Sequence, residues 1–193
     1  MKTAIAPGSI RIIAGSLRGS KLPVHLSDGL RPSPDRVRET LFNWLGSSLI
    51  GANVLDAFAG TGVLGIEALS RCAAFVNFIE IKPGLARALQ SQLIRLKMAG
   101  RAAVHCVDAM QALPKICKTR APTLVFVDPP FAAALHQPML AALLPCLGDG
   151  ALVYLEAEKG HMPVLTSGWA SHKHSSAGAV EFALWRRQAD HAG

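Results

Sequence analysis

The chain has 193 residues, half of them hydrophobic, and a formal net charge of +7. This length suits one domain with a sizeable core, while the longest apolar runs are broken well short of a membrane span and the start lacks the apolar stretch of a signal peptide. The four cysteines are far apart without a Cys-x-x-Cys pair, so we expect core thiols in a reducing cytosol and exclude a disulfide-rich secreted domain.

The positive charge is concentrated at the N-terminal end. The first 38 residues hold seven lysines and arginines against two aspartates. Residues 10–15 and 21–24 read as short strands around a Ser-Leu-Arg-Gly-Ser turn, which is typical of a β-hairpin. We expect residues 1–31 to form a basic hairpin extension and residues 32–193 the main domain. A basic extension on a more neutral body indicates a polyanionic partner.

The rest of the chain alternates between short apolar runs and helical periodicity. A stiff connector over residues 30–34 precedes a helix that ends near Gly51. Strands are predicted at 53–59, 75–80, 103–108, 123–127 and 151–156, and helices at 63–71, 83–98, 109–117 and 135–147. A closing antiparallel pair is predicted at 171–175 and 180–185. The pattern predicts a Rossmann-like α/β fold, with a mostly parallel seven-stranded sheet whose last strand is antiparallel.

A glycine-rich turn follows the first strand of this sheet. Gly60-Thr-Gly-Val-Leu-Gly65 matches the dinucleotide-binding fingerprint, with Glu80 at the end of the next strand. Asp56 argues against a nicotinamide cofactor, because a carboxylate aimed at the loop would repel a pyrophosphate. S-adenosylmethionine carries an ammonium and a sulfonium instead of phosphates, and Asp108 is placed to accept from its adenine amino group. The sequence therefore favours a methyltransferase over a dehydrogenase.

A carboxylate, two prolines and an aromatic ring end the strand within residues 123–131. Pro129 and Pro130 cannot donate to a strand ladder, so the strand stops at Asp128, at the edge where open α/β sheets bind ligands. Hydrogen bonds from a base amine to the Asp128 carboxylate and the Pro129 carbonyl would localise the nitrogen lone pair. Phe131 would stack on the base. Correct positioning of the two reactants can by itself lower the activation barrier by about 7–11 kcal/mol. We therefore expect transfer at Asp128, Pro129, Pro130 and Phe131 to need neither a strong base nor a metal.

Four stretches together resemble the RsmD family, the bacterial methyltransferases of guanine N2 in small-subunit (16S) ribosomal RNA. The likeness runs over residues 10–186. Its most specific part is the Asp-Arg-Val-Arg-Glu segment at 35–39. The stretches are Ile10-Arg-Ile-Ile-Ala-Gly with Arg18-Gly-Ser-Lys-Leu-Pro, Leu30-Arg-Pro-Ser-Pro-Asp-Arg-Val-Arg-Glu-Thr-Leu-Phe-Asn-Trp44, Leu55-Asp-Ala-Phe-Ala-Gly-Thr-Gly-Val-Leu-Gly-Ile-Glu-Ala-Leu-Ser-Arg71 and Val127-Asp-Pro-Pro-Phe131.

The resemblance implies a cytoplasmic class I methyltransferase that acts on 30S particles and converts S-adenosylmethionine to S-adenosylhomocysteine. We expect a monomer. The residues expected at the cofactor are Asp56, Ala59, Gly60, Thr61, Gly62, Glu80, Asp108 and Ser33, the last standing where the family has threonine. The residues expected at RNA are Arg18, Lys21, Arg31, Arg36 and Arg38. Two alternatives stay open: a DNA adenine or cytosine amino-methyltransferase, and a catalytically inactive RNA-binding assembly factor.

Other polar residues are assigned no function from the sequence. His172 and His174 share one face of a predicted strand, but no third ligand accompanies them, so we expect no metal site. Glu156 and Glu158 follow the fifth strand and are expected to be exposed at its end.

Overall fold

A computed structural model describes residues 8–24, 34–130 and 134–189 of the chain. The helices are α1 Asp35–Leu45, α2 Val63–Ser70, α3 Pro83–Arg95, α4 Ala109–Thr119 and α5 His136–Leu143. The strands are β1 Gly8–Arg11, β2 Lys21–Val24, β3 Asn53–Asp56, β4 Phe75–Ile79, β5 Ala102–His105, β6 Leu124–Val127, β7 Leu152–Glu158, β8 Trp169–Ala177 and β9 Val180–Arg187. None of the helices in these described ranges is long and apolar enough to cross a membrane.

Seven strands form one sheet in the order β5-β4-β3-β6-β7-β9-β8, and β1 and β2 form a separate antiparallel hairpin. Strands β3 to β7 run parallel, while β9 is antiparallel to both β7 and β8. The predicted sheet with its antiparallel last strand is therefore confirmed, as is the N-terminal hairpin. The strand order reverses between β3 and β6, and such a switch point opens a crevice beyond the carboxyl ends of the strands.

Several elements are shorter than predicted. Strand β3 ends at Asp56 because the chain then turns across β4, where the Ala59 N–H donates to the Ile79 carbonyl at 2.8 Å. Strand β5 ends at His105, before the residue that caps α4. Helix α3 ends at Arg95 because Lys97 takes a positive φ of 59°, which a continuing right-handed helix does not allow.

Apolar residues fill both faces of the sheet. Every second residue of the central strands, among them Val54, Phe126 and Tyr154, belongs to one core together with α1, α2 and the hairpin. The alternate residues, including Val125 and Val153, pack with α4 and α5 in a second core. This alternation decides which face each residue takes at the carboxyl edge of the sheet.

The hairpin is attached to the main domain by hydrogen bonds to α2 and by packing in the first core. Ile10 and Leu22 are opposite each other in the hairpin and are buried in the first core. The Glu67 carboxylate of α2 accepts hydrogen bonds from the N–H groups of Ile13 at 2.8 Å and Ala14 at 2.9 Å. The described part of the predicted extension therefore packs as part of the main body. The predicted boundary near residue 31 lies outside the described residues.

The cysteines are less buried than the sequence suggests. Cys72 and Cys106 are exposed, so the expectation of core thiols is wrong for both. Cys72 lies at a positive φ of 75° just after α2, and Cys106 follows the end of β5. Cys117 and Cys146 are half-buried, and burial followed by contact with Cys146 raises the pKa of the Cys117 thiol to about 12.

Candidate active site

Four carboxylates follow one another along the carboxyl edge of the sheet. One residue in each of four neighbouring strands is paired with the next: Phe78 of β4, Asp56 of β3, Phe126 of β6 and Tyr154 of β7. Their side chains therefore lie on the same face of the sheet. Glu156 lies two residues further along β7 on the same face, and Glu80 and Asp128 directly follow the last residues of β4 and β6. We call Glu80, Asp56, Asp128 and Glu156 the acidic edge. It spans the switch point between β3 and β6.

The glycine loop connects β3 to α2 beside the acidic edge. Gly62 has a positive φ of 75°, and a Cβ there would lie 2.3 Å from Cδ1 of Leu89. A Cβ on Gly65 would lie 2.2 Å from the ring of Phe78. Both positions therefore require glycine, the first for the turn and the second for close packing of α2 on the sheet, as in nucleotide-binding loops.

Two members of the acidic edge bind the backbone of this loop. Glu80 is buried, and its carboxylate oxygens accept from the N–H of Gly60 at 2.9 Å and from the N–H of Lys82 at 2.7 Å. Asp56 is also buried and accepts from the N–H of Gly65 at 3.1 Å. Both carboxylates thus face the loop as the sequence predicts. Ala59 is buried and Thr61 half-buried within the same turn.

Burial perturbs the acidity of Asp56. The pKa of this carboxyl is raised from 3.8 to about 7, chiefly by burial and further by the charge of Glu80, against the opposing hydrogen bond from Gly65. Asp56 therefore keeps its proton to a higher pH than an ordinary aspartate does. A cation bound beside it would favour the charged form.

This shift predicts a pH-dependent contribution to stability. The folded state holds the Asp56 proton more tightly than the unfolded chain, so the stabilising contribution is complete below pH 3.8 and is lost as the pH rises through about 7. We expect Asp56→Asn to gain stability relative to the wild type across this window and to level off above it. Urea unfolding of both proteins from pH 4 to 8 measures the difference. A difference that does not change with pH would contradict the assignment.

The third carboxylate predicted at the cofactor has a structural role. Asp108 caps α4, and its Oδ1 accepts from the N–H groups of Met110 at 2.9 Å and Gln111 at 3.3 Å. Ile81 and Met110 follow the ends of the neighbouring strands β4 and β5 and are both exposed, at 63% and 38%. Neither is predicted from the sequence, although Ile81 directly follows Glu80 and Met110 lies two residues after Asp108.

Asp128 begins the segment predicted to hold the target base. It is half-buried, Pro129 is buried and Pro130 is exposed, while Phe131 lies outside the described residues. The nearby Tyr154 hydroxyl has its pKa raised well above the usual value by burial, then by Glu156 and Asp128. The hydroxyl therefore stays protonated.

Glu156 is an unpredicted member of the acidic edge. It is 3% exposed and accepts a hydrogen bond from the Tyr154 hydroxyl at 2.8 Å. The expectation that Glu156 is exposed is wrong, because β7 continues past it to Glu158, which is exposed. Glu156 and Asp128 both act on the Tyr154 hydroxyl, and this grouping depends on the pairing of β6 with β7, which a single strand does not reveal.

The predicted RNA-binding residues occupy different environments. Arg18, Lys21 and Arg36 are exposed, as a phosphate contact requires. Arg38 is fully buried: its guanidinium donates to the Arg11 carbonyl from two nitrogens at 3.1 Å each and to Asp35 at 2.6 Å. Its predicted contact with RNA is therefore replaced by a structural role. Arg31 and Ser33 lie outside the described residues.

The two histidines of β8 form no metal centre. His174 Nε2 lies 2.7 Å from the Glu181 carboxylate, across the pair of β8 and β9. Within the described parts of the chain, no group of three histidine, cysteine or acidic side chains is arranged to hold a metal ion.

Strand order, glycine loop and acidic edge place the chain in the class of Rossmann-like methyltransferases. The family model for Conserved hypothetical protein 95 matches residues 10–186. The chain is 45% identical over 185 residues to the ribosomal RNA small subunit methyltransferase D of Escherichia coli strain K12, covering 94% of this chain and 92% of that protein. The chain belongs to this family, the RsmD family.

Two further comparisons agree with this assignment. The protein of the same name from Haemophilus influenzae is 39% identical over 189 residues, which cover 96% of this chain and 98% of that protein. The solved structure of the yhhF protein from Escherichia coli superposes with a TM-score of 0.82 at 43% identity, covering 95% of this chain and 100% of that one.

Proposed function

We propose that this protein transfers a methyl group from S-adenosylmethionine to the exocyclic N2 amine of a guanine in small-subunit ribosomal RNA, acting on 30S particles in the cytoplasm. The main support for the proposal is the acidic edge: Asp128 and Pro129 follow β6, which pairs with β3 at the switch point beside the glycine loop. The names of the two curated relatives support ribosomal RNA of the small subunit as the substrate.

The residues around the glycine loop fit S-adenosylmethionine. Two buried carboxylates, Asp56 and Glu80, favour a cationic ligand and disfavour a pyrophosphate. Glu80 would accept from the ribose hydroxyls and Asp108 from the adenine amino group, with Ile81 and Met110 offering apolar contact to the adenine. When bound, S-adenosylmethionine supplies a methyl group whose bond to sulfur breaks as its bond to N2 forms, leaving S-adenosylhomocysteine.

The chain's own contribution is to position the target amine. The N2 lone pair of guanine is delocalised into the ring, which makes the nitrogen a poor nucleophile. Asp128 and the Pro129 carbonyl accept from its two N–H groups and so hold the amine in the reactive orientation. After transfer the nitrogen gives up one proton to water, so the site requires no strong general base. A base within a helix must first be flipped out.

Methyl incorporation distinguishes the proposal from its two alternatives. A DNA amino-methyltransferase commonly carries an added recognition region, but the described chain between β6 and β7 offers only α5 and a short 3₁₀ turn. An inactive assembly factor has no need for an intact acidic edge. The protein is incubated with labelled S-adenosylmethionine and naked 16S RNA, 30S particles or duplex DNA. We expect labelled 30S particles. Labelled DNA, or no product, would contradict the proposal.

The basic hairpin is proposed to contact RNA phosphates. Reversing charge at Arg18 and Lys21 to glutamate should weaken binding to 30S particles and leave cofactor affinity unchanged. The loss should shrink as salt rises, because counterion release drives phosphate contacts. Filter binding over a salt series measures it. Reversing Lys115 and Lys118 on α4 is the matched control, since these exposed residues lie on the opposite side of the sheet. Equal losses in the two variants would refute a hairpin contact.

A further inference from the structure

Helix α3 belongs to a long stretch of chain without an acidic residue. Residues 81–107 contain five lysines and arginines and neither aspartate nor glutamate. Four of the five are exposed: Lys82, Arg87, Arg95 and Lys97. Among the residues that the structure describes, none of these four side chains pairs with a carboxylate. The chain itself therefore leaves this positive charge unneutralised, and the proposed transfer chemistry uses none of it.

The two sides of α3 differ in character. Leu89 and Leu93 are buried in the first core, which also holds the apolar residues of the hairpin. From residue 87 onward the exposed residues share the other side at three- and four-residue spacing, and we call them the α3 face: Arg87, Gln90, Ser91, Ile94 and Arg95. Guanidinium and amide donors without a carboxylate suit the phosphates of a nucleic acid.

Arg95 connects the α3 face to the hairpin. Its Nη2 donates to the Lys21 carbonyl of β2 at 2.9 Å, and its Nε and Nη2 donate to the side-chain oxygen of Gln92 at 2.9 Å and 2.6 Å. A guanidinium has five N–H donors, and Nη1 of Arg95 makes no hydrogen bond to a described residue. The guanidinium is therefore held at the junction with two donors still available. The hairpin and the α3 face form one continuous basic surface.

We infer that the α3 face is a second RNA-binding surface, which binds backbone phosphates of the ribosomal RNA through Arg87 and Nη1 of Arg95. This inference rests on the proposed function. Helix α3 begins just beyond Glu80, at the edge of the sheet that carries the glycine loop, and its last residue contacts the hairpin. At about 20 Å, the helix spans several phosphates between these two points. Such contacts fix the position of the RNA without reading its sequence.

The test is Arg87→Gln, which removes one charge and keeps a long polar side chain. Affinity for naked 16S RNA and for 30S particles should fall about five- to eightfold at 0.1 M salt, because one phosphate contact is lost. The slope of log K against log salt concentration should become shallower by about 0.7–0.9. Lys115→Gln is the matched control, since it removes one exposed charge on the opposite side of the sheet. Filter binding over a salt series measures both quantities.

Further outcomes identify the partner and guard against misfolding. Calorimetry should show wild-type affinity for S-adenosylmethionine in Arg87→Gln. If that variant does not fold, Gln90→Glu adds a negative charge to the same face and should also weaken binding to both RNAs. Equal affinity of Arg87→Gln and Lys115→Gln would overturn the inference. A loss on 30S particles without one on naked RNA would overturn it too, because the partner would then be a protein.

The inference and the proposed function fail in different measurements. Absence of N2-methylguanosine from the wild-type product on 30S particles would refute the proposed function. The affinities and salt slopes of the two charge variants would still decide whether α3 contacts RNA.

Discussion

An Asp128→Asn variant is expected to lose turnover by about a hundredfold or more while its affinity for S-adenosylmethionine stays unchanged. The asparagine keeps one acceptor oxygen but places an NH2 group against the donors of the target amine. The loss is therefore confined to the complex in which cofactor and base are both aligned. Single-turnover methyl transfer on 30S particles measures the rate, and calorimetry measures cofactor binding.

Asp149→Asn is the control for this prediction, because it makes the same change at an exposed carboxylate that accepts from the Ala189 N–H at 2.9 Å. It should leave turnover intact. The pH dependence of the transfer rate shows whether Asp128 orients the target amine or abstracts its proton. An ionisation near pH 7 that disappears in Asp128→Asn would show that Asp128 takes the proton itself. An ionisation near pH 7 that persists in Asp128→Asn but disappears in Asp56→Asn belongs to Asp56.

A Glu67→Ala variant is expected to lose about 3–5 kcal/mol of stability, because it removes the partner of a buried charge. The Glu67 carboxylate is fully buried, pairs with Arg71 at 2.8 Å and lies 3.8 Å from the guanidinium of Arg38. It also holds the two hairpin N–H groups of Ile13 and Ala14. Urea unfolding measures the loss.

Two variants calibrate this effect. Glu67→Gln keeps an acceptor oxygen and the side-chain shape, so it should lose less stability than the alanine variant. Glu39→Ala changes an exposed carboxylate on α1 and should stay within about 0.5 kcal/mol of the wild type. A Glu67→Ala protein as stable as Glu39→Ala would show that the carboxylate does not fasten the hairpin.

Much of the sheet can be predicted from the sequence, because each central strand is a short apolar run ended by glycine, proline or a carboxylate. The same local pattern places Asp56, Glu80 and Asp128 at strand ends. Glu156 cannot be found this way, since its place in the acidic edge depends on the pairing of β7 with β6. Arg38 is misjudged for a similar reason: its partners include a carbonyl of the hairpin 27 residues away. Contacts distant in sequence leave no local pattern.

We propose that the acidic edge directs methyl transfer to guanine N2 in small-subunit ribosomal RNA. The most direct test incubates the protein with methyl-labelled S-adenosylmethionine and 30S particles that lack the modification, then digests the RNA to nucleosides for mass spectrometry. We expect the label in N2-methylguanosine. Label in N6-methyladenosine or N4-methylcytosine, or particles without label, would contradict it.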